Sequence, residues 1–137
     1  MAASSRTELA TAVAAVLAGD AVQLPMVAAA EQEELNDAVA SSALVLTRDA
    51  VALTLRRYRA GAFDGATAQA WASFVRRGYI GGRTAGPVEP LRIEYEDAYE
   101  EAIVEAVGRL DEIGGLIDGT VDDAEVGVLL AALGVSS

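Results

Sequence analysis

The chain has 137 residues, 21 acidic and 10 basic side chains, a formal net charge of −11, and 53% hydrophobic but only 5% aromatic residues. That is the size of one domain, large enough to bury a core without covalent staples. Cysteine, histidine and lysine are absent, which excludes disulfides, thiol and Schiff-base catalysis, a P-loop lysine, and the commonest general base and transition-metal ligand.

Ser5 followed by Glu8 has capping-box spacing, and Leu9, Val13, Val16 and Leu17 then recur at helical intervals up to Gly19. Pro25 ends any continuation of that helix. A second helix is expected over residues 28–41, with Glu31, Glu34 and Asp37 outside and Leu35 and Val39 inside. Thr47 caps a third, Arg48 to Ala60, with Val51, Leu55 and Tyr58 inward and Gly61 as its C-terminal glycine. A short loop leads to a fourth helix, Ala66 to Arg77, bearing Trp71, Phe74 and Val75. Four glycines and two prolines make residues 78–90 a long loop.

The clearest period runs through Tyr95, Tyr99, Ile103, Ala106, Leu110 and Ile113, predicting a long helix from Glu94 to Ile113. Asp122 and Glu125 form a second capping box before a last helix with Val126, Leu129, Leu130 and Leu133 inward and Gly134 at its end. Residues 42–46 and 88–93 are the two short stretches where a small hairpin could form. The expected fold is all-α: a bundle of five to six helices built from antiparallel helix hairpins. Residues 1–45 are expected as an N-terminal helical extension and residues 46–134 as the core bundle.

The apolar stretch from Leu9 to Ala30 is interrupted by Asp20, Gln23 and Pro25 and has no basic start, because Glu8 offsets Arg6. No membrane span and a cytoplasmic location are expected. The all-arginine basic set, with abundant alanine and valine, reads as the coding bias of a GC-rich bacterium.

Two motifs compete for chemistry. The loops Gly61-Ala62-Phe63-Asp64-Gly65 and Gly115-Leu116-Ile117-Asp118-Gly119 echo each other and read as similar turns between helices. Asp118 to Glu125 matches the second half of a calcium-binding EF-hand loop, but the first and third ligand places fall on Gly114 and Leu116, which offer no side-chain oxygen. It reads as a turn and a helix cap, with no metal expected. Adjacent acids such as Glu100-Glu101 and Asp122-Asp123 point apart on a helix, so no convergent acid pair is expected. No cofactor and no enzymatic activity are expected.

Charge is laid out in blocks. Residues 1–47 carry a net −5, residues 48–83 carry seven arginines and two acids, and residues 84–137 carry thirteen acids and two arginines. On the predicted long helix Glu94, Asp97, Glu101 and Glu105 advance by three or four and form one acidic ridge. Arg56, Arg57, Arg59, Arg76 and Arg77 either neutralise that ridge within the chain or leave it open to a basic protein partner. Nucleic-acid binding is not expected, given the net charge.

Leu46-Thr47-Arg48-Asp49 through Leu55-Arg56-Arg57-Tyr58-Arg59-Ala60-Gly61, then Ala70-Trp71-Ala72 and Ile93-Glu94-Tyr95-Glu96, resembles small bacterial all-helical proteins of the colicin D immunity-like type. The likeness covers roughly residues 46–133, with the arginine cluster and the 78–90 loop as departures. It implies a non-enzymatic protein that binds and blocks a basic toxin through acidic surface. The alternative is a self-associating scaffold, a homodimer in which the arginine-rich hairpin of one chain meets the acidic face of another.

Overall fold

The computed structural model describes residues 2–29, 32–40, 43–78, 91–113 and 121–135. Among these residues lie seven α-helices, two 3-10 turns and a two-stranded sheet. Helix α1 (Ala2–Leu17) buries Val13, Val16 and Leu17 at the expected spacing. It is already helical at Ala2, so Ser5 lies inside the helix and is not its cap.

A 3-10 turn (Ala21–Gln23) leads into α2 (Leu24–Ala29). Pro25 sits in the first turn of α2, where its missing amide has no helical partner to lose. Helix α3 (Gln32–Ala38) follows. The single helix expected over 28–41 is therefore the end of α2 plus α3, with 30, 31 and 41 outside the described residues. Leu35 and Val39 are buried and Glu34 and Asp37 exposed, as the pattern requires.

From residue 47 to residue 78 the local signals are strong and the expected helices form. After strand β1 (Leu44–Leu46), Thr47 caps α4 (Arg48–Arg59), its hydroxyl accepting from the Ala50 amide at 3.2 Å. Gly61 takes the left-handed φ of +81° that ends α4. Asp64 caps α5 (Gly65–Arg77) by accepting from the Thr67 amide at 2.9 Å. Gly78, at φ +80°, closes α5, and its carbonyl accepts the Leu91 amide at 2.9 Å. The ends of the long loop expected at 78–90 are thus clipped together; residues 79–90 lie outside the described set.

The largest departure lies beyond. The helix expected from Glu94 to Ile113 is strand β2 (Ile93–Tyr95), a 3-10 turn (Asp97–Tyr99) and only then α6 (Glu100–Asp111). β2 pairs with β1, Leu44 opposite Ile93 and Leu46 opposite Tyr95, and the pairing is parallel where a hairpin would be antiparallel. Helix α7 (Asp123–Ala132) follows residues 114–120, which hold the second of the echoing loops and lie outside the described set.

One hydrophobic cluster holds these elements. Trp71 and Phe74 from α5, Leu55 from α4, Ile103 and Leu110 from α6 and Leu130 from α7 are fully buried together with Val13, Val16, Val27 and Leu35. The N-terminal segment thus contributes to the same core as residues 46–134. The Trp71 indole N–H donates to the Val16 carbonyl at 2.8 Å, fastening α5 to the last turn of α1. Tyr58 donates to the Val121 carbonyl at 3.0 Å, and Arg57 to that of Gly19 at 3.0 Å.

Candidate interaction surface

The four carboxylates expected on one helical ridge are spread over three kinds of backbone. Glu94 is on β2, Asp97 in the 3-10 turn, and Glu101 and Glu105 on α6. All four are exposed. The register of a single helix is lost, but part of the cluster survives: Asp97 and Glu101 line one surface depression of about 740 Å³, Glu105 lies one turn along α6, and Glu94 is outside the lining. Glu100, next to Glu101 at the start of α6, also lines the depression.

Helix α6 opens at this point, and its first-turn dipole favours the carboxylates of Glu100 and Glu101 by about 0.3–1 kcal/mol each. Glu105 has no such offset. It sits four residues from Glu101, a like-charge spacing that costs about 0.2–0.5 kcal/mol.

Glu96, within the same acidic stretch, has a different role. Its Oε1 accepts the backbone N–H of Arg48 at 2.9 Å, and its own amide donates to the Leu46 carbonyl at 3.0 Å. It thus satisfies a first-turn amide of α4 from 48 residues away. The Arg48 guanidinium lies 4.3 Å from the centre of the Tyr99 ring, a cation–π contact that fastens the 3-10 turn to α4.

Four of the arginines of residues 48–83 face other partners. Arg76 reaches Asp111 at 2.8 Å and Arg77 the same carboxylate at 3.6 Å. Asp111, whose side chain is only 5% exposed, also accepts from Gln69 at 2.9 Å. Arg57 is held by Gly19, and Arg48 by Tyr99 and, at 3.7 Å, Asp49. Among the described residues no ion pair reaches Glu94, Asp97, Glu101 or Glu105.

At the other end of α6, Arg109 bridges Glu112 at 2.6 Å and both oxygens of Glu125, one of them at 2.9 Å. Asp122 accepts from the Glu125 amide at 2.8 Å and caps α7, but the Glu125 side chain turns to Arg109 instead of completing a capping box. Glu125 is the twelfth-place ligand of the partial EF-hand pattern, and a guanidinium occupies its carboxylate. Residues 114–120, which carry the rest of that pattern, lie outside the described set. Among the described residues no group of three acids is placed to hold a metal ion.

The hydrogen bond from Arg109 holds the Glu125 carboxyl below its ordinary value of 4.5. A depressed folded value means the stabilisation is complete above that ordinary value and is lost as pH falls through the folded one. Glu125→Gln is therefore expected to cost about 1 kcal/mol at pH 7 and progressively less below pH 4.5, read from urea midpoints across that range. A constant gap between the two proteins down to pH 2 would contradict the assignment.

No protein-family model matches the sequence, and comparison with curated proteins and with solved structures finds no similar chain. Among the described residues no helix is long and apolar enough to cross a membrane.

Proposed function

We propose that this chain is a non-enzymatic, acidic protein-binding module, immunity-like in action, that captures a basic partner protein in the cytoplasm and occludes its working surface. One observation carries the reading. The carboxylates of Glu94, Asp97, Glu101 and Glu105 are exposed and unneutralised by any described arginine, although seven arginines lie in residues 48–83. Glu101 and Glu105 stand one turn apart on α6 as like charges, and a cation brought by a partner offsets that repulsion on binding. The resemblance to colicin D immunity-like proteins points the same way, and the helices are read as the antiparallel hairpins of a bundle that presents this face.

The test is capture of a basic protein encoded beside this chain. The variant carrying Glu94→Arg, Asp97→Arg, Glu101→Arg and Glu105→Arg is expected to lose more than about ten-fold in affinity while keeping its helical circular dichroism. Undiminished binding by the folded variant refutes the reading. The other reading, a self-associating scaffold, needs arginines facing outward, whereas Arg57, Arg76 and Arg77 are engaged within the chain. Sedimentation at low and high salt separates the two, since only the scaffold gives a salt-sensitive dimer of the pure protein.

A further inference from the structure

Beyond its acidic first turn, with Asp123 and Glu125, helix α7 carries no polar side chain. Its inward residues Val126, Leu129 and Leu130 are buried, and the outward ones are apolar as well: Val128 is 65% exposed, with Ala124, Ala131 and Ala132 beside it. After Glu125 no charged residue follows to the end of the chain. A helix at the surface of a soluble domain ordinarily turns polar residues outward, and one that is apolar all round is covered on both sides.

This bare face is continuous with the acidic depression. Ala132 lines the same hollow as Val104, which is 51% exposed on α6, and as Asp97, Glu100 and Glu101. The hollow therefore joins apolar residues of two helices with three carboxylate-bearing residues.

We propose that the α6–α7 groove is the docking site for an amphipathic helix of the basic partner, its apolar stripe seated on Val104, Val128 and Ala132 and its flanking arginines or lysines paired with Asp97, Glu100 and Glu101. This rests on the capture reading above and adds where, and by what element, the partner is held. Three arguments select that occupant. The alanines leave room for a helix backbone to approach closely. The elements that border the hollow are helical turns, which offer no sheet edge for an added strand, and an apolar surface flanked by charge matches the helix-in-groove mode. These carboxylates are of one sign, and a second copy laid face to face would set its own Glu101 and Glu105 against them.

The test uses the full chain and a labelled synthetic peptide of about 18 residues, five helical turns, with a leucine stripe flanked by arginines. A scrambled isomer of the same composition serves as control. Fluorescence anisotropy is expected to show the amphipathic peptide binding at least about ten-fold more tightly than the isomer. Val128→Glu, and independently the milder Val128→Ser, weaken it by about ten-fold and about three-fold while circular dichroism is unchanged. Glu100→Gln with Glu101→Gln weakens binding and flattens its salt dependence.

Equal binding of the scrambled isomer overturns the proposal, leaving general charge attraction. Binding that responds to the glutamines but not to either Val128 variant overturns the groove while the acidic capture reading stands. Binding lost in Val128→Glu but indifferent to the glutamines removes the carboxylate contacts and with them the proposal. A pure-protein dimer in sedimentation that Val128→Glu dissociates assigns the face to a second copy, which also overturns it.

Discussion

Trp71→Ala is expected to leave the chain largely unfolded at 37 °C. Trp71 is fully buried in the middle of α5, and deleting a large core aromatic costs about 3–5 kcal/mol through lost transfer energy and the cavity left behind. That is most of the stability of a domain at the lower end of the usual range of about 5–15 kcal/mol. The loss falls where the N-terminal segment joins the rest, because the indole N–H reaches the Val16 carbonyl. Trp71→Phe separates the two contributions. The Val16 carbonyl also accepts the Gly19 amide at 3.1 Å, so it keeps a partner, and losing the indole bond costs only about 1 kcal/mol. Urea unfolding followed by far-ultraviolet circular dichroism measures both, since the variants lack the chain's one tryptophan. A Trp71→Ala protein within about 2 kcal/mol of wild type would show that α1 and α5 do not share a core.

Gly78→Ala is expected to cost about 2–5 kcal/mol. Alanine at φ +80° costs about 1–2 kcal/mol from its own backbone. The added Cβ would also lie 2.8 Å from the Leu91 nitrogen and closer still to its carbonyl, and relieving such overpacking costs about 1–3 kcal/mol more. Backbone cannot swing away as a side chain can. Gly61→Ala provides the control: it has the same kind of φ, +81°, but nothing within 4 Å of an added Cβ, so only the backbone cost of about 1 kcal/mol remains. The two variants should therefore differ in urea midpoint. Amide exchange at Leu91 and Glu96 should accelerate in Gly78→Ala alone, because that variant loosens the entry to β2. Equal destabilisation by the two would mean that the close approach to Leu91 carries no weight.

Legibility followed the range of the interactions. Helices α4, α5 and α7 could be read from the chain because their limits are set within a few residues, by Thr47, Asp64 and Asp122 at their starts and by Gly61 and Gly78 at two of their ends. β2 was read as helix because Tyr95, Tyr99 and Ile103 keep a four-residue step that suits either backbone. What decides is the pairing with Leu44–Leu46, about fifty residues earlier, and three residues are too few to show an alternation of their own. The exposed acids are visible as acids, but that no ion pair reaches them among the described residues is not. It depends on Arg76 and Arg77 finding Asp111 some 35 residues away, and no local pattern announces that. The apolar outer side of α7 is present in the sequence as a charge-free run after Glu125, but the inward leucines account for the same run, so the pattern alone does not distinguish a one-sided from a two-sided apolar helix.

The parallel match of β1 with β2 has a bearing on when this protein can work. Strands running the same way cannot be joined by a tight turn, so the pairing that sets Glu94 and leads into Asp97 closes over the whole of α4, α5 and the residues after them. Such distant closures come late in folding, after the nearby helical contacts. A chain still emerging from the ribosome, or one opened locally at that seam, presents Glu101 and Glu105 on α6 without their two companions. If these carboxylates capture a partner as proposed, capture is coupled to completion of the fold, and a half-made molecule is screened from that partner without any separate switch.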